Sequence, residues 1–257
     1  MKFTKMHGCG NDFIVINSFK EEVKLTRENI IFLCKPHFGI GSDGILFVLP
    51  SKVADFRMKM FNVDGTEAEM CGNGTRCIAK FAYDEKIISK TKATIETEAG
   101  IKYVELILDK KEVISVKVNM GKADFLQNPA REFDLQCVSI GNPHAVMVVD
   151  NVDKFPVCEI GYKVENHKGF PKKTNVEFAE IISKNIIKIR IWERSCGETF
   201  SCGTGSCATF AVLNKLGVID DKCILKLRGG DLEIQLINNE IFMTGSAVNV
   251  FDGNIKI

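Results

Sequence analysis

The sequence predicts an α/β (α+β) protein made of two halves, each combining a sheet with one principal helix. Short runs rich in Val, Ile and Phe recur along the chain between Gly, Asn and Asp residues, a pattern typical of strands and turns. Helical spacing of apolar residues is confined to a few segments. A Cys-Gly-x-Gly element precedes a helical segment in each half, which favours two related domains.

The individual elements follow from these patterns. Strands are predicted at residues 13–16, 45–48, 56–61, 103–108 and 113–118, then at 146–149, 176–182, 186–192, 232–236 and 247–251. Thr26 is a predicted N-cap for a helix that reaches Lys35, where Pro36 helps to end it. The two principal helices are predicted over 75–86 and 206–216, directly after the Cys-Gly-x-Gly elements.

The predicted domain boundary lies near residues 119–121, where the first half runs out of strand patterns. We expect an N-terminal half of residues 1–118 and a C-terminal half of residues 119–246, with the final strand, 247–257, returning to the first half. A chain of 257 residues is long enough for two domains, each with its own core. The sequence has no long linker, so we expect the halves to pack around a cleft.

Composition narrows the class of ligand. Hydrophobic residues make up 45% of the chain, and 34 Lys and Arg nearly balance 33 Asp and Glu. This balance favours a small-molecule ligand over a nucleic acid or a membrane surface. The start of the chain lacks the apolar run of a signal peptide, so we expect a cytoplasmic protein whose ten cysteines are reduced.

Cys71 and Cys202 open the two Cys-Gly-x-Gly elements. A thiol at a helix N-terminus faces unpaired N–H groups and the positive end of the helix dipole, which lower its pKa to roughly 3.5–7.5. One thiolate could then act as a base while the other thiol acts as an acid. The alternative is that each is a small buried residue, as most free cysteines are. We expect that alternative to hold for Cys77 and Cys207, which lie at apolar helix positions.

A dinucleotide site and a zinc site are both disfavoured by the sequence, and a metal enzyme is kept only as a minor alternative. Residues 39–44 match G-x-G-x-x-G, but a helical pattern precedes them and a strand follows, the reverse of a dinucleotide site, so they are interpreted as a tight loop. The chain has no Cys-x-x-Cys pair, and its four histidines lack paired spacing, so no metal site is predicted.

Polar clusters recur where a binding site built on loops would lie. Each is a turn by composition, but together they supply amides, carboxylates and a guanidinium, which suit an amino-acid zwitterion. They occupy residues 7–12, 62–65, 141–144, 173–175 and 193–199.

An ordered series of motifs extends along almost the whole chain. It consists of Lys5-Met6-His7-Gly8, Asn11-Asp12-Phe13, Phe61-Asn62, Cys71-Gly72-Asn73-Gly74, Gly141-Asn142-Pro143-His144, Glu193-Arg194, Gly197-Glu198-Thr199, Cys202-Gly203-Thr204-Gly205, Met243-Thr244-Gly245 and Asp252-Gly253. In this order the motifs resemble those of the diaminopimelate epimerases, which are amino-acid epimerases without a cofactor.

The resemblance implies two pseudo-symmetric domains, each a β-barrel-like sheet around a central helix, with the active site in the cleft between them. It implies that Cys71 and Cys202 are the acid/base residues on opposite faces of the α-carbon, and that His144 and Glu193 tune their pKa. The residues it places against substrate are Asn11, Asn62, Gly72, Asn73, Asn142, Asn175, Glu193, Arg194, Gly203 and Thr204. Gly44 stands where some members have a substrate-binding glutamine, so that contact is not expected here.

The implied reaction converts LL-diaminopimelate to its meso form in lysine and cell-wall precursor biosynthesis. It uses no cofactor and no metal, and the family further implies a homodimer. Other readings of the residues stay open. The two thiols would also suit a racemase of proline, hydroxyproline or another amino acid. They would equally suit a redox-responsive binding protein in which Cys71 and Cys202 form a regulatory disulfide, and an inactive paralogue is a third possibility.

Overall fold

A computed structural model describes residues 1–19 and 23–257, and these form two compact units. Unit 1 consists of residues 1–118 and 245–257, and unit 2 consists of residues 119–244. Both are mostly sheet with few helices, so the predicted fold class is confirmed. No helix in the described ranges is long and apolar enough to span a membrane.

Unit 1 contains nine strands and two helices among its described residues, numbered here along the whole chain. The strands are β1 (Lys2–Gly8), β2 (Asn11–Asn17), β3 (Gly44–Leu49), β4 (Phe56–Asn62), β5 (Glu67–Ala68), β6 (Lys92–Thr97), β7 (Gly100–Asp109), β8 (Glu112–Gly121), whose last three residues belong to unit 2, and β18 (Val248–Asn254). The helices are α1 (Arg27–Cys34) and α2 (Gly72–Asp84).

The strands β2 and β3 of unit 1 are buried on both faces, which explains their unbroken apolar sequences. Ile14, Ile16 and Ile45 pack with residues of α1 in one cluster. Leu46 points the other way, since successive side chains of a strand alternate, and it lies against the start of α2 near Gly74. The helix α2 is itself buried and packs against β1, β2, β3 and β7. It is therefore the central helix of this unit.

Unit 2 contains the remaining elements. Its strands are β9 (Asp124–Leu126), β10 (Gln136–Ser139), β11 (Pro143–Val148), β12 (Asn175–Ser183), β13 (Ile186–Glu193), β14 (Gly197–Thr199), β15 (Lys222–Leu227), β16 (Gly230–Ile237) and β17 (Glu240–Gly245), which ends on the first residue of the second stretch of unit 1. Its helices are α3 (Val157–Glu165) and α4 (Gly203–Lys215). The buried helix α4 packs against β10, β11, β12 and β16 and is the central helix here.

The two units repeat one strand topology. In unit 1 the pairings β1–β2, β2–β3, β3–β4, β4–β6 and β6–β7 are antiparallel, parallel, antiparallel, parallel and antiparallel. In unit 2 the pairings β10–β11, β11–β12, β12–β13, β13–β15 and β15–β16 follow the same series. The helices α2 and α4 occupy the same place in the order, after the short strands β5 and β14. Units 1 and 2 are therefore alike in strand topology as well as in the short Cys-Gly-x-Gly element.

The helices differ from the sequence prediction in two respects. The helix after Thr26 has the predicted cap, but α2 and α4 begin three residues earlier than predicted, at Gly72 and Gly203. They begin there because a cysteine side chain caps each one, a role that usually falls to Ser, Thr, Asn or Asp. The helix α3 was not predicted; its buried residues Val157 and Val164 pack in a cluster with Phe178 of β12.

Candidate functional site

Cys71 is the N-cap of α2 and has an extended backbone conformation. Its Sγ accepts a hydrogen bond from the backbone N–H of Gly74, with 3.5 Å between Sγ and N. The hydroxyl of Thr75 donates to the carbonyl oxygen of Cys71 at 2.9 Å. The thiol is half-buried. Both the helix start and the side chain of Cys71 are therefore held in place while the sulfur stays accessible.

Asn11 joins the predicted residues of unit 1 at Cys71. Its Oδ1 accepts from Cys71 Sγ at 3.6 Å and from Asn73 Nδ2 at 3.2 Å. Its Nδ2 donates to Asp43 Oδ2 at 2.7 Å. Burial raises the pKa of Asp43, although the bonds from Asn11 and from the Asp12 N–H oppose the rise. Because Asp43 Oδ2 accepts from the amide nitrogen, it orients the amide with its oxygen towards the thiol. Gly72 and Asn73, predicted as loop residues, form the first turn of α2 instead.

Asn62 is positioned by its place at the end of a strand. It ends β4 and pairs with Gly44, which pairs in turn with Phe13. Its Nδ2 donates to Thr66 Oγ1 at 3.0 Å. The row of paired residues through Asn62, Gly44 and Phe13 therefore crosses β2 two residues after Asn11.

Cys202 occupies the equivalent position in unit 2. It is the N-cap of α4, and its Sγ accepts from the backbone N–H of Gly205 at 3.4 Å. The Thr204 hydroxyl lies 3.4 Å from the same sulfur, and the Ser206 hydroxyl donates to the Cys202 carbonyl at 2.9 Å. Cys202 is 8% exposed, so this thiol is buried. Gly203 and Thr204 form the first turn of the helix, as Gly72 and Asn73 do in α2.

His144 and Glu177 form a buried pair beneath the start of α4. His144 Nδ1 lies 2.7 Å from Glu177 Oε1, and His144 Nε2 lies 2.9 Å from Asn142 Oδ1. Both side chains of the pair are 0% exposed. Glu177 Oε1 would lie 2.6 Å from a Cβ on Gly205, so the carboxylate sits directly against the first turn of the helix. The other oxygen, Oε2, has no hydrogen-bond partner.

Glu193 completes the surroundings of the Cys202 thiol. The Thr199 hydroxyl donates to Glu193 Oε1 at 2.6 Å, and the Cys202 thiol is hydrogen-bonded to the same carboxyl. Burial raises the pKa of Glu193, with a further contribution from the charge of Glu177. The two bonds oppose the rise because they favour the ionised form.

The expectation of a lowered pKa is wrong for Cys202 in this structure. Burial raises its pKa well above the usual value, and the negative charges of Glu193 and Glu177 raise it further. The Thr204 hydroxyl and the Gly205 N–H lower the pKa of Cys202, but by less than burial and the two carboxylates raise it. Burial and the two carboxylates thus outweigh the helix N-terminus and favour the thiol form of Cys202 over the thiolate.

Asn142, Asn175 and Arg194 lie along one end of the sheet in unit 2. His144 pairs with Asn175 between β11 and β12. Asn175 Nδ2 donates to the Pro143 carbonyl at 3.0 Å, and its Oδ1 accepts from the backbone N–H of Arg194 at 2.9 Å. The Arg194 side chain is exposed and donates to the Lys172 carbonyl at 3.2 Å. Asn175 thus connects β11, which contains His144, to the turn that carries Arg194.

Sequence reasoning missed Glu177 and Asp43. Glu177 lies in the predicted strand 176–182, and its signal is a charged residue between the apolar residues Val176 and Phe178. Asp43 lay in the segment set aside as a tight loop; it is such a loop, but its carboxylate orients Asn11.

Cys77 and Cys207 are packing residues, as predicted. Both are 0% exposed, and burial raises the pKa of Cys77 to about 12. Among residues 1–19 and 23–257, no group of three or more His, Cys, Asp or Glu side chains is arranged to hold a metal ion.

A methyl group added at Gly205 should be far more costly than one added at Gly74. A Cβ at Gly205 would meet the buried Glu177 carboxylate at 2.6 Å, whereas a Cβ at Gly74 would meet the flexible end of Leu46 at 3.2 Å. We expect Gly205→Ala to lower the free energy of unfolding by about 1–3 kcal/mol. Gly74→Ala, the matched control, should leave it within about 1 kcal/mol, since alanine is the better helix former. Urea titration measures both, and equal stabilities would contradict the position of Glu177.

The raised pKa of Cys202 should appear in its rate of alkylation. Because only the thiolate reacts, we expect the reaction of Cys202 with iodoacetamide to keep accelerating up to pH 9 and above. Peptide mass spectrometry follows the residue, and the urea-unfolded chain, whose cysteines titrate at about 8.5, is the control. A plateau below pH 8 in the folded protein would show that the helix N-terminus prevails after all.

Comparison with known proteins places these features in a family. The model of the family described as diaminopimelate epimerase matches residues 3–126 and 136–250. Among curated proteins, the diaminopimelate epimerase of Agathobacter rectalis is 48% identical over 286 aligned positions, and that of Methanococcus maripaludis is 47% identical over 277. In both cases the alignment covers 100% of this chain and 100% of the relative.

Solved structures of lower identity share the fold. A probable proline racemase from Agrobacterium radiobacter has a TM-score of 0.77 at 16% identity, with 100% of this chain and 93% of that chain covered. A phenazine biosynthesis protein of the PhzF family from Bacillus anthracis has a TM-score of 0.76 at 19% identity, with 100% and 99% covered. These likenesses concern architecture alone. The full-length identity of nearly one half and the match to the family model together show that this chain belongs to the diaminopimelate epimerase family.

Proposed function

We propose that the protein interconverts LL- and meso-diaminopimelate by moving a proton at one α-carbon. The observation that carries this proposal is the equivalent placement of two thiols. Cys71 and Cys202 each cap the central helix of a unit, and the two units share one strand topology. Inversion of a carbon centre requires a proton acceptor and a proton donor, and two thiols with opposite protonation supply both.

In the proposed step, one cysteine begins as a thiolate and the other as a thiol. The thiolate takes the α-proton and becomes a thiol, while the second thiol gives its proton to the opposite face of the same carbon and becomes a thiolate. The substrate gains one proton and loses one, and the reverse reaction exchanges the two roles. Cys202, whose pKa is raised by burial and by Glu193 and Glu177, suits the role of the initial donor. Cys71 would then begin as the thiolate, and the bond that its thiol donates to Asn11 Oδ1 would be given up.

The surroundings of Cys202 suit a thiol that must also become a thiolate. When its proton leaves, the sulfur still accepts from the Gly205 N–H and lies 3.4 Å from the Thr204 hydroxyl. Glu193 is hydrogen-bonded to the thiol, and the His144–Glu177 pair lies beneath the helix start. The Gly205 N–H and the Thr204 hydroxyl are fixed before reaction and favour the thiolate, whereas the two carboxylates favour the return of the proton. We assign His144 and Glu193 the tuning of the thiol.

Substrate binding is assigned to the polar groups at the strand ends and helix starts. Arg194 has an exposed guanidinium that can hold a carboxylate through two parallel hydrogen bonds. Asparagine oxygens can accept from an ammonium group, and backbone N–H groups of the first helical turns can donate to a carboxylate or to the developing carbanion. The proposed contacts are Asn11, Asn62, Gly72, Asn73, Asn142, Asn175, Glu193, Arg194, Gly203 and Thr204.

We further propose that the enzyme works in the cytoplasm as a homodimer. The ten cysteines are expected to be reduced thiols, which suits a reducing compartment, and the dimer follows from the family resemblance. Light scattering of the purified protein should give twice the chain mass of 28.6 kDa; a mass equal to one chain would overturn the dimer.

The test of the function follows isomer conversion of LL- and meso-diaminopimelate under reducing conditions, with proline and hydroxyproline as competing substrates. We expect conversion of diaminopimelate alone. Cys71→Ala and Cys202→Ala should each lower kcat by roughly 100-fold to 10,000-fold, the usual contribution of an acid or base. Cys158→Ala, which removes an exposed thiol in α3, is the control and should keep wild-type activity.

Each other outcome rules out part of the proposal. Conversion of proline alone would keep the two-thiol chemistry and replace the substrate. Absence of conversion of any amino acid would favour the redox-responsive binding protein. High activity in either cysteine variant would rule out the two-thiol mechanism.

A further inference from the structure

Glu165 is a buried carboxylate at the end of α3 that the proposed reaction does not use directly. Its side chain is 4% exposed. Oε1 accepts from the backbone N–H of Ser195 at 2.9 Å and from Lys173 Nζ at 3.0 Å, while Oε2 accepts from Trp192 Nε1 at 2.7 Å. Two of these donors flank Glu193 and Arg194 in the sequence, so Glu165 contacts the chain on both sides of two proposed site residues.

Ser195 lies in a tight turn between β13 and β14, and Trp192 lies in β13 just before that turn. Glu193 pairs with Gly197 across the turn, and the backbone N–H of Cys196 donates to the Glu193 carbonyl at 3.0 Å. Ser195 has a φ of 65°, in the left-handed region that a residue with a side chain rarely adopts. Such a conformation persists only where surrounding contacts determine it. The bond from Ser195 N–H to Glu165 is one of those contacts.

The helix α3, which carries Glu165, packs closely against β13, the strand that contains Trp192. The Trp192 ring lies over Gly161, where a Cβ would approach the ring atom Cγ to 2.6 Å. Gly161 lies one helical turn before Glu165 and on the same face of α3. The close approach of ring and helix holds the carboxylate at a fixed distance from the turn.

The contacts of Glu165 require an ionised carboxylate. Burial opposes ionisation, but the bonds from Trp192, from the Ser195 N–H and from Lys173 prevail and lower the pKa of Glu165. All three partners are donors, so both oxygens must accept. A glutamine has one accepting oxygen, and its NH2 group would face either the Trp192 N–H or the donors of Ser195 and Lys173.

We propose that Glu165 is a positioning residue that fixes the turn carrying Arg194 and thereby sets the affinity for the substrate carboxylate. This rests on the proposed function, in which Arg194 binds that carboxylate. Other bonds also anchor the turn, among them the bond from Arg194 N–H to Asn175 Oδ1 and the bond from Arg194 Nη1 to the Lys172 carbonyl. Glu165 supplies the anchor at the next residue, where the backbone conformation is the least favourable.

The proposal predicts an effect on KM more than on kcat. Arg194 would hold a carboxylate that does not react, so it would bind the ground state and the transition state alike. Loss of such uniform binding raises KM and leaves kcat unchanged. A residue that merely stabilised the fold would lower the melting temperature and the active fraction, and would leave KM unchanged.

The test measures KM and kcat for diaminopimelate in Glu165→Gln and in Glu159→Gln, an exposed position on the same helix that serves as the control. Glu165→Gln should raise KM by about tenfold, with kcat within about threefold of wild type. Glu165→Asp keeps the charge but is shorter by one carbon, and it should raise KM less. KM does not depend on the active fraction, so it can be measured even in a partly folded preparation.

A double-mutant cycle with Arg194→Ala decides whether Glu165 acts through Arg194. If it does, adding Glu165→Gln to Arg194→Ala should raise KM little further. Independent effects in the cycle, or an unchanged KM in Glu165→Gln with a lowered melting temperature, would overturn the inference. A wild-type protein inactive on diaminopimelate would instead overturn the proposed function.

Discussion

A hydrogen bond from a helix N–H to a cysteine sulfur determines the geometry on which the candidate site depends. Sulfur is a weak acceptor, and oxygen side chains are the usual N-caps. Here Cys71 and Cys202 nevertheless cap α2 and α4, and each takes the N–H of the third residue of its helix. The bond sets the direction of the sulfur and the first residue of the helix together. The first residues of both helices, Gly72 and Asn73 in α2 and Gly203 and Thr204 in α4, are among those proposed to contact substrate.

Opposing electrostatic influences act on a thiol at a helix N-terminus. At Cys202 their balance is the reverse of the one expected from the helix dipole alone. A helix N-terminus favours a thiolate, whereas burial and neighbouring carboxylates favour a thiol. At Cys202 the second set prevails, because Glu193 and Glu177 both lie close to a buried sulfur. A pair of catalytic thiols needs one acid and one base at the start of each turnover. Carboxylates next to one thiol provide a physical means of keeping that thiol protonated.

Much of the architecture was predictable from sequence because strands and turns leave local signals. The apolar runs at 13–16 and 45–48 are strands buried on both faces, and Thr26 caps its helix as predicted. The starts of α2 and α4 were misjudged because cysteine is an uncommon cap, and α3 was missed. The pairing of strands that are distant in sequence is not written locally, so the contact of Glu177 with Gly205 required the structure. The same is true of Glu165, whose three partners come from two separate segments, Lys173 before β12 and Trp192 with Ser195 at the end of β13.

The most direct test of the two-thiol account is the labelling pattern in heavy water at early times. If one thiol removes the α-proton and the other returns a solvent-derived proton to the opposite face, the first product molecules carry deuterium at the inverted carbon. Substrate recovered at the same time remains unlabelled, since the proton on the first thiol is returned before it exchanges. Deuterium appearing in recovered substrate as fast as in product would contradict the account, because it would show a single group serving both faces.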